Sequence, residues 1–130
     1  MSKEKNIQLI KKLHHIWNTG EINLVSEVYS ENIVVNWARG WGSPSKGLKE
    51  VEQAILKTRN VFHNWNEEIL DLVVDDNKVT SRYVSTGVHK EEYLGVPASG
   101  KNIEFQEISI YLIRDNKVLE QWCLGDDLHL

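Results

Sequence analysis

Two turns, "DDNK" (Asp75–Lys78) and "DNK" (Asp115–Lys117), constrain this chain more than any other feature. Each lies between alternating runs at hairpin length. Asp and Asn accept tight-turn backbone geometry, so the flanking runs are expected to pair antiparallel. The expected strands are "EEILDLVVD", "VTSRYVSTGVH", "NIEFQEISIYLIR" and "VLEQWCLGD". The first half reads differently. Leu9, Ile10, Leu13, Ile16 and Trp17 draw one apolar helical stripe, which Gly20 would cap. A second short helix is expected around Asn23 to Ser30, and a third carries Val51, Ile55, Thr58 and Phe62. Between them come a short β-rich run, "NIVVNWA", and a loop, "RGWGSPSKG". Helices first and strands last is the order of an α+β fold rather than a βαβ one. A chain of 130 residues fits one domain, 1–130, with three helices on a curved antiparallel sheet. It should bury roughly two thirds of its unfolded surface, enough for a core or for a core hollowed by one pocket.

Composition narrows the function classes. The net charge of −4 and the scattered Lys and Arg give no footprint for nucleic acid. No apolar run approaches a membrane span, and the charged "MSKEKNIQLIKKLHH" lacks the features of a signal peptide, so a cytoplasmic protein is expected. Cys123 stands alone and excludes an internal disulfide. Five tryptophans are either aromatic core or the flat apolar lining of a small-molecule pocket.

Several motifs dissolve on inspection. "GVPASGK" has phosphate-loop spacing, but Asn102 follows where Ser or Thr should hold magnesium, and a strand follows where a helix is needed. His14 and His15 lie about 100° apart on a helix, too divergent to share a metal. With no partners at ligand spacing, no metal site is expected. Cys123 has no nucleophile elbow around it and reads as a packed thiol.

The carboxylates of the last strand remain. Alternation puts Val118, Glu120, Trp122, Leu124 and Asp126 on one face, expected to point inward, with Asp127 solvated on the other. Glu120 and Asp126 are six residues apart, about 20 Å along a strand, too far to act as a pair on one bond. Either one is a lone acid in an apolar pocket, raised toward neutrality and suited to proton transfer. The plainer alternative is a carboxylate satisfied by Arg82, Arg114 or a backbone amide at the end of the sheet. His89 shares a face with Tyr83, Ser85 and Gly87, where the glycine leaves room for a ligand or for neighbouring backbone.

"GVHKEEYLGVPASGK" (Gly87 to Lys101), "ISIYLIRDNKVLEQW" (Ile108 to Trp122) and Asp126 resemble the SnoaL-like polyketide cyclase family, which also includes ester cyclases. The resemblance implies the nuclear-transport-factor-2-like fold, a cone-shaped α+β barrel with a strongly bent sheet and three helices around a hydrophobic pocket. It implies intramolecular aldol ring closure on a small hydrophobic carbonyl or ester compound, with no cofactor. Asp126 matches the family's general acid/base, and His89 its assisting pocket histidine. Trp37, Trp41, Tyr83, Phe105, Tyr111, Glu120 and Trp122 would line the pocket. A homodimer through the outer face of the sheet is implied as well.

Some residues depart from the family pattern. Glu91 stands where the family has glycine, Asn116 replaces the turn glycine, and Asn36 or Trp37 stands where a second histidine is often found. Leu130 ends the sequence without the family's Gln-Leu-Gly tail, from which a more open pocket, or one closed by a partner subunit, is expected. The rival readings are a binding or dimerisation module without chemistry, and a hydrolase whose acid orients water.

Overall fold

A computed structural model describes residues 3–38 and 41–126. Helix α1 (Lys3–Thr19) is followed by a 3-10 turn (Ile22–Leu24), a single-turn helix α2 (Val25–Val28), strand β1 (Tyr29–Asn36) and a two-residue strand β2 (Ser45–Lys46). Helix α3 (Gly47–Val61) then runs directly into β3 (Phe62–Asp75), β4 (Lys78–His89), β5 (Asn102–Arg114) and β6 (Lys117–Gly125). These strands form one six-stranded sheet in the order β2-β1-β6-β5-β4-β3. The second helix is shorter than its apolar pattern implied, because Tyr29 already turns into β1. The loop residues Arg39 and Gly40, and Asp127 to Leu130 with their implied solvent exposure and tail, lie outside the described residues.

The two hairpins form as their turns require. Asp76, Asp115 and Asn116 adopt the positive φ that such turns need and that Asp and Asn tolerate. β3–β4, β4–β5 and β5–β6 are antiparallel. The sheet as a whole is mixed rather than antiparallel, because β1 lies parallel to β6. Helix α3 returns the chain from β2 to the far edge of the sheet, so β1 meets β6 by long-range docking beside the last strand rather than through a turn.

Helix α1 buries Ile10, Leu13, Ile16 and Trp17 as its stripe predicts, and adds His14 to the same face. Gly20, at φ 79°, closes its C-terminus by donating its N–H to the Ile16 carbonyl at 2.8 Å. Two apolar clusters result. One joins α1, α2, α3 and β1 to Val79, Tyr111 and Val118. The other gathers Val61, Phe62, Trp65, Ile103 and Phe105 at the opposite end. Between them the inward rows of β4 and β5 turn polar: Ser81, Tyr83 and Ser85, and beside them Glu107 and Ser109, all buried.

A bulge changes the last strand. Ile113 pairs with Val118, but Leu112 pairs with Glu120, so Leu119 is an extra residue. One inserted residue reverses which side chains face inward beyond it. Val118 is buried, and so are Gln121 and Cys123, whereas Trp122 and Leu124 are exposed at 40% and 68%. The inward row expected from Val118 to Asp126 therefore holds only at its first residue. Ile108 and Ile110 on β5 are also exposed, and they pair with Leu124 and Trp122, which makes a continuous apolar patch on the outer face.

Candidate active site

A cavity of about 110 Å³ opens between the two apolar clusters, under α1 and α3 and over the concave face of the sheet. A site needs only about 10–15 Å³ on the same measure to hold one water, so this space admits a small organic molecule. Its walls are largely aromatic: Trp17, Trp37, Trp41, Phe62, Trp65 and Phe105. Tyr83, Tyr111 and Gln121 add polar groups from the sheet, and Lys57 and Tyr93 come from α3 and the β4–β5 connection. Trp41 closes the cavity against Gly125: a Cβ there would sit 2.7 Å from the indole ring, so a larger residue would displace the ring.

Two carboxylates face this space, Glu107 and Glu67. Glu107 belongs to the regular inward row of β5 and is 5% exposed. Its Oε1 accepts from the Tyr83 hydroxyl at 3.3 Å and from the Cys123 thiol at 3.4 Å, while the Ser85 hydroxyl holds Oε2. Burial, reinforced by the negative charge of Glu67, pushes its pKa from 4.5 up to about 8, against the lowering effect of Ser85, Cys123 and Tyr83. Burial thus favours the protonated form of Glu107, which can donate a proton. Burial first, then the Glu107 charge, raises Cys123 above the ordinary thiol range, which leaves an inert thiol rather than a nucleophile.

Glu67 reaches the cavity because β3 is irregular. Asn64, at φ 61°, sits in a bulge between His63 and Asn66. The neighbouring side chains Trp65 and Glu67 turn inward together, and the Trp65 indole N–H donates to Glu67 Oε2 at 2.9 Å. Oε1 lies 2.6 Å from His14 Nδ1.

The residues expected from the sequence separate into two groups. Trp37, Trp41, Tyr83, Phe105 and Tyr111 line the cavity together. The remaining four do not line it. Trp122 faces outward. Glu120 accepts from the Asn36 amide at 3.0 Å beside the cavity wall. Asp126 is exposed at the end of the sheet and accepts from the Gln106 backbone N–H at 3.1 Å. That is the plainer alternative for an acid on this strand, and the inward orientation is corrected for the reason given by the Leu119 bulge. His89 is fully buried behind Phe62, with Nδ1 3.2 Å from Ser99 Oγ, and Nε2 has no hydrogen-bond partner among the described residues. The space beside it at Gly87 is taken by the chain itself, since a Cβ there would lie 3.0 Å from Phe62 Cβ.

Glu107 is not among the residues expected from the sequence, although its alternation with Ile103, Phe105, Ser109 and Tyr111 in one uninterrupted strand was a signal for it. Glu67 and His14 carried weaker signals: one depends on a bulge, and the other hides in an apolar helical stripe. Among the described residues, no group of three or more His, Cys, Asp or Glu gathers to hold a metal ion. Among the described residues, no helix is long and apolar enough to cross a membrane.

Residues 7–130 match the family model of the SnoaL-like polyketide cyclases. The chain belongs to this family. Solved structures agree in fold. TsrD from Streptomyces laurentii is 21% identical with a TM-score of 0.86, over 97% of this chain and 91% of that one. IdmH from Streptomyces antibioticus, a candidate polyketide cyclase, is 22% identical with a TM-score of 0.79, over 92% and 90%. A candidate polyketide cyclase from Bacillus cereus ATCC 10987 is 27% identical with a TM-score of 0.78, over 97% and 79%. No curated protein sequence matches this chain. Within the SnoaL-like frame, the concave face of the sheet presents its acids from β3 and β5.

Glu107 has a consequence for stability. The unfolded chain releases this proton near pH 4.5, and the folded protein near 8. Between those values the folded state binds more protons, so this contribution is complete below about 4.5 and is lost as pH rises through 8. At about 1.4 kcal/mol per pKa unit, the loss is on the order of a few kcal/mol. Thermal unfolding from pH 5 to 9 should show the wild type losing stability with pH, and Glu107→Gln a flatter profile.

Proposed function

We propose that this SnoaL-like protein is a cofactor-independent enzyme that moves protons on a small hydrophobic carbonyl or ester compound, in an intramolecular aldol closure or a related isomerisation. The observation that carries the reading is Glu107, an acid held neutral at pH 7 on the wall of an aromatic cavity. Loss of a proton beside a carbonyl becomes easier when the carbonyl oxygen receives a proton at the same time. Glu107 supplies that proton, and Tyr83, Ser85 and Cys123 accommodate the carboxylate left behind. When the carboxyl is protonated, its O–H turns either to the Ser85 oxygen or to the substrate.

The general acid/base role that the family pattern assigns to Asp126 thus passes to Glu107 in this proposal, and His89 is left with support of Phe62 and the β4–β5 connection. The aromatic walls favour flat, apolar substrates. A cytoplasmic setting fits the single buried free thiol. The hydrolase and pure binding readings gain no specific observation.

The experiment is hydrogen–deuterium exchange at the carbons flanking the carbonyl of 2-tetralone, followed by proton NMR. The wild type should accelerate exchange over buffer, and Glu107→Gln should lose roughly 100-fold or more of that acceleration. Equal exchange by both proteins contradicts the role given to Glu107.

We further propose that the protein is a homodimer through the outer face of the sheet. Ile108, Ile110, Trp122 and Leu124 form one exposed apolar patch across two paired strands, a surface that a second copy can cover symmetrically. Sedimentation should show a wild-type dimer and a Trp122→Glu/Leu124→Asp monomer. A monomeric wild type contradicts the assignment.

A further inference from the structure

Glu67 faces the same cavity as Glu107, and the mechanism above gives it no task. Glu67 sits opposite Ser85 across β3 and β4, and Ser85 is the residue whose hydroxyl holds Glu107. Glu107 pairs with Tyr83, two residues along β4 from Ser85. Two strand spacings and a two-residue offset, about 12 Å of backbone, therefore separate the acids, with both side chains on the concave face.

Glu67 is held unusually firmly. His14 Nδ1 lies 2.6 Å from Oε1, and the Trp65 indole donates to Oε2 at 2.9 Å. The backbone is fixed as well, because the Glu67 N–H donates to Asn18 Oδ1 at 2.6 Å and its carbonyl accepts from Asn18 Nδ2 at 3.1 Å. His14 is itself oriented: Nε2 lies 2.9 Å from Ser81 Oγ and 3.4 Å from the Tyr111 hydroxyl, and its ring meets Tyr83 edge-on at 4.5 Å. The His14 and Glu67 side chains are only 3% and 7% exposed.

Such an arrangement contributes little to folding. A buried polar pair seldom outperforms apolar residues of similar volume, and the Glu67 charge beside the cavity raises the cost of ionising Glu107. It is well suited to chemistry, because each carboxylate oxygen retains a second lone pair after accepting one hydrogen bond. We propose, building on the acid role of Glu107, that Glu67 is the catalytic base of a two-carboxylate site and that His14 is the residue that positions it.

The steps balance without any further reagent. Glu67 takes the proton from the carbon beside the substrate carbonyl, the C–H electron pair becomes the enol double bond, and the carbonyl oxygen takes the Glu107 proton. The enol carbon then bonds to a second carbonyl carbon of the same molecule. That second oxygen takes the proton from Glu67, and the enol O–H returns its proton to Glu107 as the first carbonyl reforms. Both carboxyl groups end as they began.

The test uses 2-tetralone exchange, with binding of 2-naphthol, a stable mimic of its enol, followed by tryptophan fluorescence. Glu67→Gln should bind 2-naphthol within about 3-fold of wild type and lose roughly 100-fold or more in exchange. Should that variant fail to fold, Glu67→Asp, which keeps the charge but withdraws it by one methylene, should lose about 10-fold or more. For His14, His14→Asn places an amide N–H near the Nδ1 position and should keep kcat within about 10-fold. His14→Phe should lower kcat by about 100-fold with KM unchanged, a split that simple loosening of the pocket would not give. Exchange by Glu67→Gln within 3-fold of wild type, while Glu107→Gln is impaired, overturns the base assignment and leaves the acid role standing. A wild type that binds 2-naphthol but exchanges nothing overturns both.

Discussion

Burial of the Glu107 carboxyl sets the character of the whole concave face. An acid that is 5% exposed must have donors around it or stay protonated; here donors surround it, and burial favours the protonated form. Tyr83, Ser85 and Cys123 converge on it from β4 and β6, the two strands that flank β5. The same need breaks the apolar core in two. Tyr111 and Val79 belong to one cluster and Phe105 to the other, and the polar belt between them is the floor of the cavity. The hollow therefore follows from placing polar side chains in the middle of two inward strand rows, where close packing of apolar groups would otherwise fill the space.

How much of this could be read from the sequence depends on strand regularity. β5 spans Asn102–Arg114 as its alternation implied, and β4 put Tyr83, Ser85, Gly87 and His89 on its buried face as expected. The α1 stripe and its Gly20 cap were equally plain. β6 misled because strand parity is a global property: one extra residue at Leu119 leaves Val118 inward and sends Trp122 and Leu124 outward. A bulge depends on pairing with a neighbour and leaves little trace in the strand's own residues. The parallel docking of β1 on β6 was hidden for a similar reason, since it is a long-range contact fixed by no turn.

The family and the fold were legible because they rest on many positions at once, from the Gly-rich β4–β5 connection to the Glu-x-Trp of β6. The chemistry rests on very few. Within the SnoaL-like frame, the acid matched by the family pattern, Asp126, caps a backbone amide at the sheet's end, while Glu107 occupies the cavity wall. A family motif can therefore identify the scaffold while the acid that faces the cavity sits on a neighbouring strand.

The proposed chemistry needs Glu107 to be a neutral acid at physiological pH, and its carboxyl carbon reports this directly. With 13C-labelled glutamate, the Glu107 Cδ resonance, assigned by its loss in Glu107→Gln, should titrate with a midpoint near 8 in the folded protein. A midpoint near the ordinary value of 4.5 would rule out Glu107 as the proton donor.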